Sequence, residues 1–128
     1  MTIAQHSRAT MLSGFVESLQ EPGTPYISPK RFSKALGVQV ANLADLTGVH
    51  RNKLRNPASE RLQSRMREMI KAITAAAMLT GDIGKAIYWY RNETIGMYDH
   101  KTAAELVAEG NYEAVLSYLR DLENGARG

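Results

Sequence analysis

Five glycines constrain this chain more than any other feature. Gly37, Gly48, Gly81, Gly110 and Gly125 each follow a stretch whose apolar residues recur at helical spacing. Glycine enters the left-handed conformation that ends a helix without steric cost, so a stripe followed by Gly reads as a helix and its stop. The longest stripe is Leu62, Met66, Met69, Ile70 and Ile73, at i, i+4, i+7, i+8 and i+11. Ser59 stands before it as an N-cap, and it runs through AAAML to Gly81. No segment alternates at period two. The sequence predicts an all-α chain of about seven or eight helices.

The other elements follow from local signals. Ala9 to Leu19 predicts a helix with Met11, Leu12, Phe15 and Leu19 near one face, broken by Glu21-Pro22-Gly23-Thr24-Pro25. Ser28 caps a second helix, with Pro29 at the first helical position and Phe32, Ala35 and Leu36 inward. Val40 to Thr47 is a short helix with Val40, Leu43, Ala44 and Leu46 apolar, and Gly48 stops it. After His50 the stretch RNKLRN is expected to be helical until Pro57 ends it at Asn56. Asp82 caps a helix carrying Ile83, Ala86, Ile87 and Tyr90 on one face. Thr102-x-x-Glu105 has capping-box spacing. Asn111 caps the last helix, with Tyr112, Val115, Leu116, Leu119 and Leu122 inward and Gly125 as terminator.

Charge divides the chain more clearly than composition does. Ser28 to Lys71 holds ten basic residues against three acidic ones, a net of +7, and residues 72–128 hold five against eight, a net of −3. Such asymmetry suggests two faces with two partners, or merely a solvated basic helix. The expected division is an N-terminal helical region, residues 1–71, and a small C-terminal domain, residues 72–128. There is no cysteine, hence no disulfide framework or Cys-based metal site. The N-terminus lacks a signal-peptide pattern, and no apolar run approaches the roughly 18 residues that span a bilayer. A cytoplasmic protein without a membrane partner is expected.

The basic segment contains a helix-turn-helix pattern. Ala44 allows close helix approach, Gly48 four residues later permits the left-handed turn, and Val49 and Leu54 anchor a second helix. That helix would display His50, Arg51, Asn52, Lys53, Arg55 and Asn56. Arg pairs bidentately with guanine and Asn with adenine in a major groove. Lys53 and the flanking Lys30, Arg31 and Lys34 are suited to phosphates. The alternative is a degenerate motif that serves only packing or dimerisation, and Pro57 makes the second helix unusually short. A two-fold DNA site would demand a two-fold protein, so a homodimer through the N-terminal half is expected.

Catalytic chemistry is not evident. His6, His50 and His100 are scattered, without metal-ligand spacing, and read as surface or capping residues. Asp99-His100 are neighbours on a turn rather than a dyad. No nucleophile–base pair stands out. The expectation is no enzyme, no metal and no cofactor. The richest aromatic site is Tyr88-Trp89-Tyr90, and three consecutive helical residues span about 200°, so they cannot share one core. Tyr90 aligns with the inward face, leaving Tyr88 or Trp89 to meet another helix, a second subunit or a partner protein.

The last third of the chain resembles the toxin-binding domain of the Xre/MbcA/ParS antitoxin family. The matching features are Gly81, Lys85-Ala86-x-x-Trp89, Asn92, the Thr102 to Leu106 turn, Gly110, Val115, Leu119 and Gly125. The resemblance implies a type II antitoxin whose N-terminal region binds operator DNA and whose C-terminal domain binds a RES-domain toxin, sterically blocking its NAD-consuming site. It also implies that Trp89 packs inward, which leaves Tyr88 for the interface, and that the antitoxin's C-terminus lies near the toxin's entrance. The expected toxin-binding residues are Tyr88, Tyr118, Asp121 and the tail Asn124, Gly125, Ala126, Arg127 and Gly128. That tail is small and polar, and is expected to leave the helix as a frayed end or a plug. The alternative function is a helix-turn-helix regulator whose C-terminal domain only oligomerises.

Overall fold

In a computed structural model the backbone is described for residues 3–127 and the side chains for residues 7–125. Seven α-helices dominate the described residues: α1 Ile3–Leu19, α2 Pro29–Leu36, α3 Leu43–Thr47, α4 Glu60–Thr80, α5 Ile83–Asn92, α6 Ala103–Ala108 and α7 Tyr112–Arg127. The fold is all-α, as the glycine-punctuated stripes require. One small departure is an antiparallel pair, β1 Thr94–Ile95 with β2 Lys101–Thr102, in the register Thr94 to Thr102 and Ile95 to Lys101. Two residues per strand are too few to show alternation, so this hairpin left no periodic signal. Asp99 and His100, at φ 57° and 56°, turn the chain between the strands. Both are residue types that visit this left-handed region more readily than most.

The long stripe becomes the axis of the molecule. α4 is 21 residues long, about 32 Å at 1.5 Å per residue, and packs against α1, α3, α5, α6 and α7. Leu62, Met66, Met69, Ile70 and Ile73 are all buried, with Ala72, Ala76 and Ala77 between them letting neighbouring helices approach. One apolar cluster extends from Leu19 through α4 to Leu119. The expected boundary between residues 71 and 72 falls inside α4, and both parts of the chain contribute side chains to that cluster.

A polar clamp ties the N-terminal loops to this axis. The buried Gln63 amide accepts a hydrogen bond from the Ile27 N–H at 2.8 Å. It donates to the carbonyls of Ile27 at 2.8 Å and Pro57 at 2.6 Å. Burying an amide is tolerable because these bonds replace water. The clamp therefore holds the loop before α2 and the loop before α4 against one turn of α4.

Most helix ends form as the sequence signals. Ser28 Oγ accepts from the Arg31 N–H at 3.1 Å, and Asp82 Oδ1 accepts from the Lys85 N–H at 2.9 Å. Thr102 and Glu105 form a reciprocal capping box, with both backbone bonds at 3.1 Å. Gly37, Gly48 and Gly81 end their helices in the left-handed region. Ser59 stands at the expected N-cap of α4, but its carbonyl rather than its side chain makes the bond, to the Gln63 N–H at 2.9 Å.

Five expectations need correction. α1 begins at Ile3, ahead of Ala9. Val40 to Thr47 divides into a 3₁₀ turn, Val40–Asn42, and α3. The stretch after His50 is a 3₁₀ turn, Arg51–Arg55, not an α-helix. Leu122 lies too near the end of α7 to reach the core, and 46% of it is exposed. Finally, α7 runs through Gly125 to Arg127. Gly125 does not adopt positive φ, and one exposed glycine costs a helix only about 1 kcal/mol, which α7, packed against α4 and α6, absorbs.

Candidate nucleic-acid and protein interfaces

The helix-turn-helix pattern is present as a compact turn. α3 ends at Gly48, φ 68°, after which Val49 is buried and Leu54 half-buried. Gly48 has a second reason to be glycine: an added Cβ would collide with the Ala108 carbonyl oxygen of α6. Buried Thr47 braces the turn, its hydroxyl donating to the Leu43 carbonyl and accepting from the Val49 N–H at 3.3 Å. His50 then caps the next element, its Nδ1 accepting from the Asn52 N–H at 3.2 Å. Six residues separate His50 from Pro57, and Asn56 is already extended at φ −113°, ψ 94°. A proline lacking an N–H, preceded by a residue forced out of helical geometry, leaves too few positions for a ladder of i→i+4 bonds. The tighter 3₁₀ turn results, about 10 Å long at 2.0 Å per residue.

His50, Arg51, Asn52, Lys53, Arg55 and Asn56 are all exposed, as are Lys30, Arg31 and Lys34 on α2. The structure does not gather these nine into one groove. His50, Arg51 and Lys53 line an open cleft of about 580 Å³ between α3, the Gly48 turn and the start of α4. Lys30, Arg31 and Lys34 line another, of about 650 Å³, against Ser18 and Glu21 at the end of α1. Three members also have local work. Arg31 donates to the Ser18 carbonyl at 3.3 Å. His50 is a cap, and Asn56 Oδ1 accepts from the Ala58 N–H at 3.2 Å, which occupies the acceptor that adenine recognition would use. The first cleft includes a residue the sequence reading missed, Arg61. Only its position in the first turn of a helix starting just after Pro57 would have pointed to it.

The aromatic run sorts itself on α5. Tyr90 is fully buried, Trp89 is half-buried, and Tyr88 is 62% exposed. Trp89 stacks on Tyr118 of α7, with ring centroids 6.3 Å apart and planes 3° from parallel. At 100° per residue, Asp121 and Leu122 lie on the same flank of α7 as Tyr118. Tyr88, Trp89, Tyr118 and Leu122 thus mark an apolar surface across two helices, with Asp121 exposed at its margin. A shallow cleft of about 580 Å³ continues it past Lys85 to Thr80. Asn124 and Gly125 are exposed on the last turns of α7. Gly128, and the side chains of Ala126 and Arg127, lie outside the described residues.

Titratable groups outside these surfaces serve the fold. The Tyr90 hydroxyl is buried with no hydrogen-bond partner, and burial pushes its pKa far up. Burial also raises Tyr112, while the hydrogen bond and charge of Glu109, 2.9 Å away, raise Lys101. The His100 ring lies over Gly96 in the hairpin turn, and His6 falls outside the described side chains. Among the described residues no group of three or more His, Cys, Asp or Glu is placed to hold a metal ion. None of their helices is long and apolar enough to cross a membrane. No family model matches the chain, and neither does any curated protein or solved structure.

Proposed function

We propose that this chain is a type II antitoxin that binds a toxin protein through α5 and α7 and binds operator DNA through its basic segment. The observation that carries the reading is the Trp89–Tyr118 stack bordered by exposed Tyr88 and Leu122. Large rings held rigid at the surface are the usual anchors of protein interfaces. They lie in the part of the chain that resembles the toxin-binding domain of antitoxins. The proposed partner is a RES-type toxin that consumes NAD. Its pocket must attract an anionic dinucleotide, which suits the acidic C-terminal part of this chain, including exposed Glu113 and Asp121. Because α7 continues to Arg127, residues 125–127 would meet the toxin as a helical turn rather than a loose plug. Inhibition would be steric, without catalysis, metal or cofactor, in the cytoplasm, and the antitoxin would act as a homodimer.

Co-expression with the neighbouring gene product tests this directly. A stable complex and restored growth are expected, and deleting Gly125 to Gly128 should keep most binding while releasing some NAD consumption. Failure to form any complex with a co-encoded toxin would overturn the reading. One observation favours the second reading, a helix-turn-helix regulator whose C-terminal part only oligomerises. α4 is apolar all round from Ala75 to Leu79, and an open groove of about 420 Å³ remains where Ala75, Met78 and Leu79 meet Leu116 and Leu119 of α7. A helix apolar on every side is ordinarily covered on every side.

A further inference from the structure

The nine arginines whose side chains are described fall into two kinds. Arg8, Arg31, Arg65, Arg67 and Arg91 each donate to a backbone carbonyl: those of Met78, Ser18, Val107, Pro25 and Leu36 respectively. These five hold one element to another. Arg51, Arg55, Arg61 and Arg120 make no side-chain hydrogen bond or ion pair among the described residues. Three of these four sit within eleven positions of sequence, and Arg51 and Arg61 converge with Lys53 on one open cleft. The sole carboxylate on that cleft is Asp45, which forms no ion pair with any of them. Three cations facing a single unpaired carboxylate leave a net positive cleft, and an anionic ligand relieves the repulsion between them.

We infer that Arg51, Lys53 and Arg61 form a grip for the phosphate backbone of duplex DNA, so that the first turn of α4 contacts DNA alongside the helix-turn-helix segment. This rests on the DNA-binding part of the proposed function and specifies its chemistry. A 3₁₀ turn of five residues, about 10 Å long, is too short to lie in a major groove as a recognition helix does. His50 and Asn56, two of the residues chemically suited to base edges, already bond the backbone. Phosphates, by contrast, are reached by long flexible cations on the flanks of a cleft, and need no inserted helix. The grip therefore positions the duplex, and it does so without reading its sequence.

The test measures binding of the full chain to the duplex upstream of its own gene and to an unrelated duplex of equal length, across a salt series. Five proteins are compared: wild type, Arg61→Ala, Arg61→Lys, the double variant Arg51→Ala/Arg55→Ala, and Arg120→Ala, the last removing an unpaired arginine on α7 away from the cleft. Arg61→Ala should weaken both duplexes alike, by roughly eightfold at about 0.1 M salt, the counterion-release value for one phosphate. Its log–log salt slope should flatten by about one unit, Arg61→Lys should recover most of both, and Arg120→Ala should match wild type. If Arg61→Ala binds with wild-type affinity and slope while Arg51→Ala/Arg55→Ala does not, the grip is overturned and the DNA reading stands. If Arg61→Ala weakens only the chain's own upstream duplex, Arg61 reads bases and the backbone assignment is overturned. If wild type binds neither duplex, the DNA reading itself fails, and the grip with it.

Discussion

The segment from α3 to the start of α4 and the surface shared by α5 and α7 both present exposed groups, but they are built in opposite ways. The first is made of short turns: a five-residue helix, a five-residue 3₁₀ turn and a histidine cap. Its cations are left without partners. The second is made of two longer α-helices, α5 capped by Asp82, and its Trp89 and Tyr118 rings are held in a parallel stack. The difference matches what the proposed function would ask of each surface. Attraction between charges acts over a Debye length of about 8–10 Å, so a phosphate contact tolerates loose placement. Apolar contact requires surfaces to fit at van der Waals distance, so an aromatic anchor must be held rigidly.

Four substitutions probe this contrast, beginning with the largest effect. Gly48→Val places a branched side chain at φ 68° and against the Ala108 carbonyl. It should lower unfolding stability by roughly 2–5 kcal/mol in urea titration. A loss below about 1 kcal/mol would mean that the turn is not pressed against α6 at all. Gln63→Leu removes the partners of both backbone groups of buried Ile27 and frees the Pro57 carbonyl. Stability should drop by roughly 3 kcal/mol, with DNA affinity falling further than toxin affinity, because both clamped loops adjoin the proposed DNA-binding residues. Equal losses at the two interfaces would show that the clamp serves the whole fold evenly.

Tyr88→Ala acts on the other surface. Its ring is 62% exposed, so the melting temperature should stay put while toxin binding weakens by roughly 2 kcal/mol in calorimetry. An unchanged affinity would move the anchor to Trp89 and Tyr118. Tyr90→Phe has the smallest effect and the opposite sign. It deletes a buried hydroxyl that has no partner, and should raise stability by about 1 kcal/mol. A loss of stability instead would reveal a bonding partner for that hydroxyl, such as an internal water.

Legibility followed the range of the interactions involved. The caps at Ser28, Asp82 and Thr102 were readable because a cap involves residues three positions apart. The α4 stripe was readable because burial on one helix face repeats every turn. The 3₁₀ turn was half-readable: Pro57 announced a short element, but not its tighter winding. The end of α7 was misjudged because local composition around Gly125 argues for a stop, while packing of the preceding turns sustains the helix. Of the candidate sites, exposure of the basic residues was foreseeable, but their separation into two clefts was not.

By itself, then, the sequence determined the helical class, the helix caps, the left-handed stops at Gly37, Gly48 and Gly81, and the charge asymmetry. These depend on residue chemistry and on spacings of four residues or fewer. Only the tertiary structure decided that Trp89 meets Tyr118, that Gln63 clamps Ile27 and Pro57, and that Arg61 joins Arg51 and Lys53. It alone also decided which arginines are occupied by carbonyls and which stand unpaired. Each of these juxtapositions is set by where α4 carries the chain before the next element packs back, a distance that no local pattern encodes.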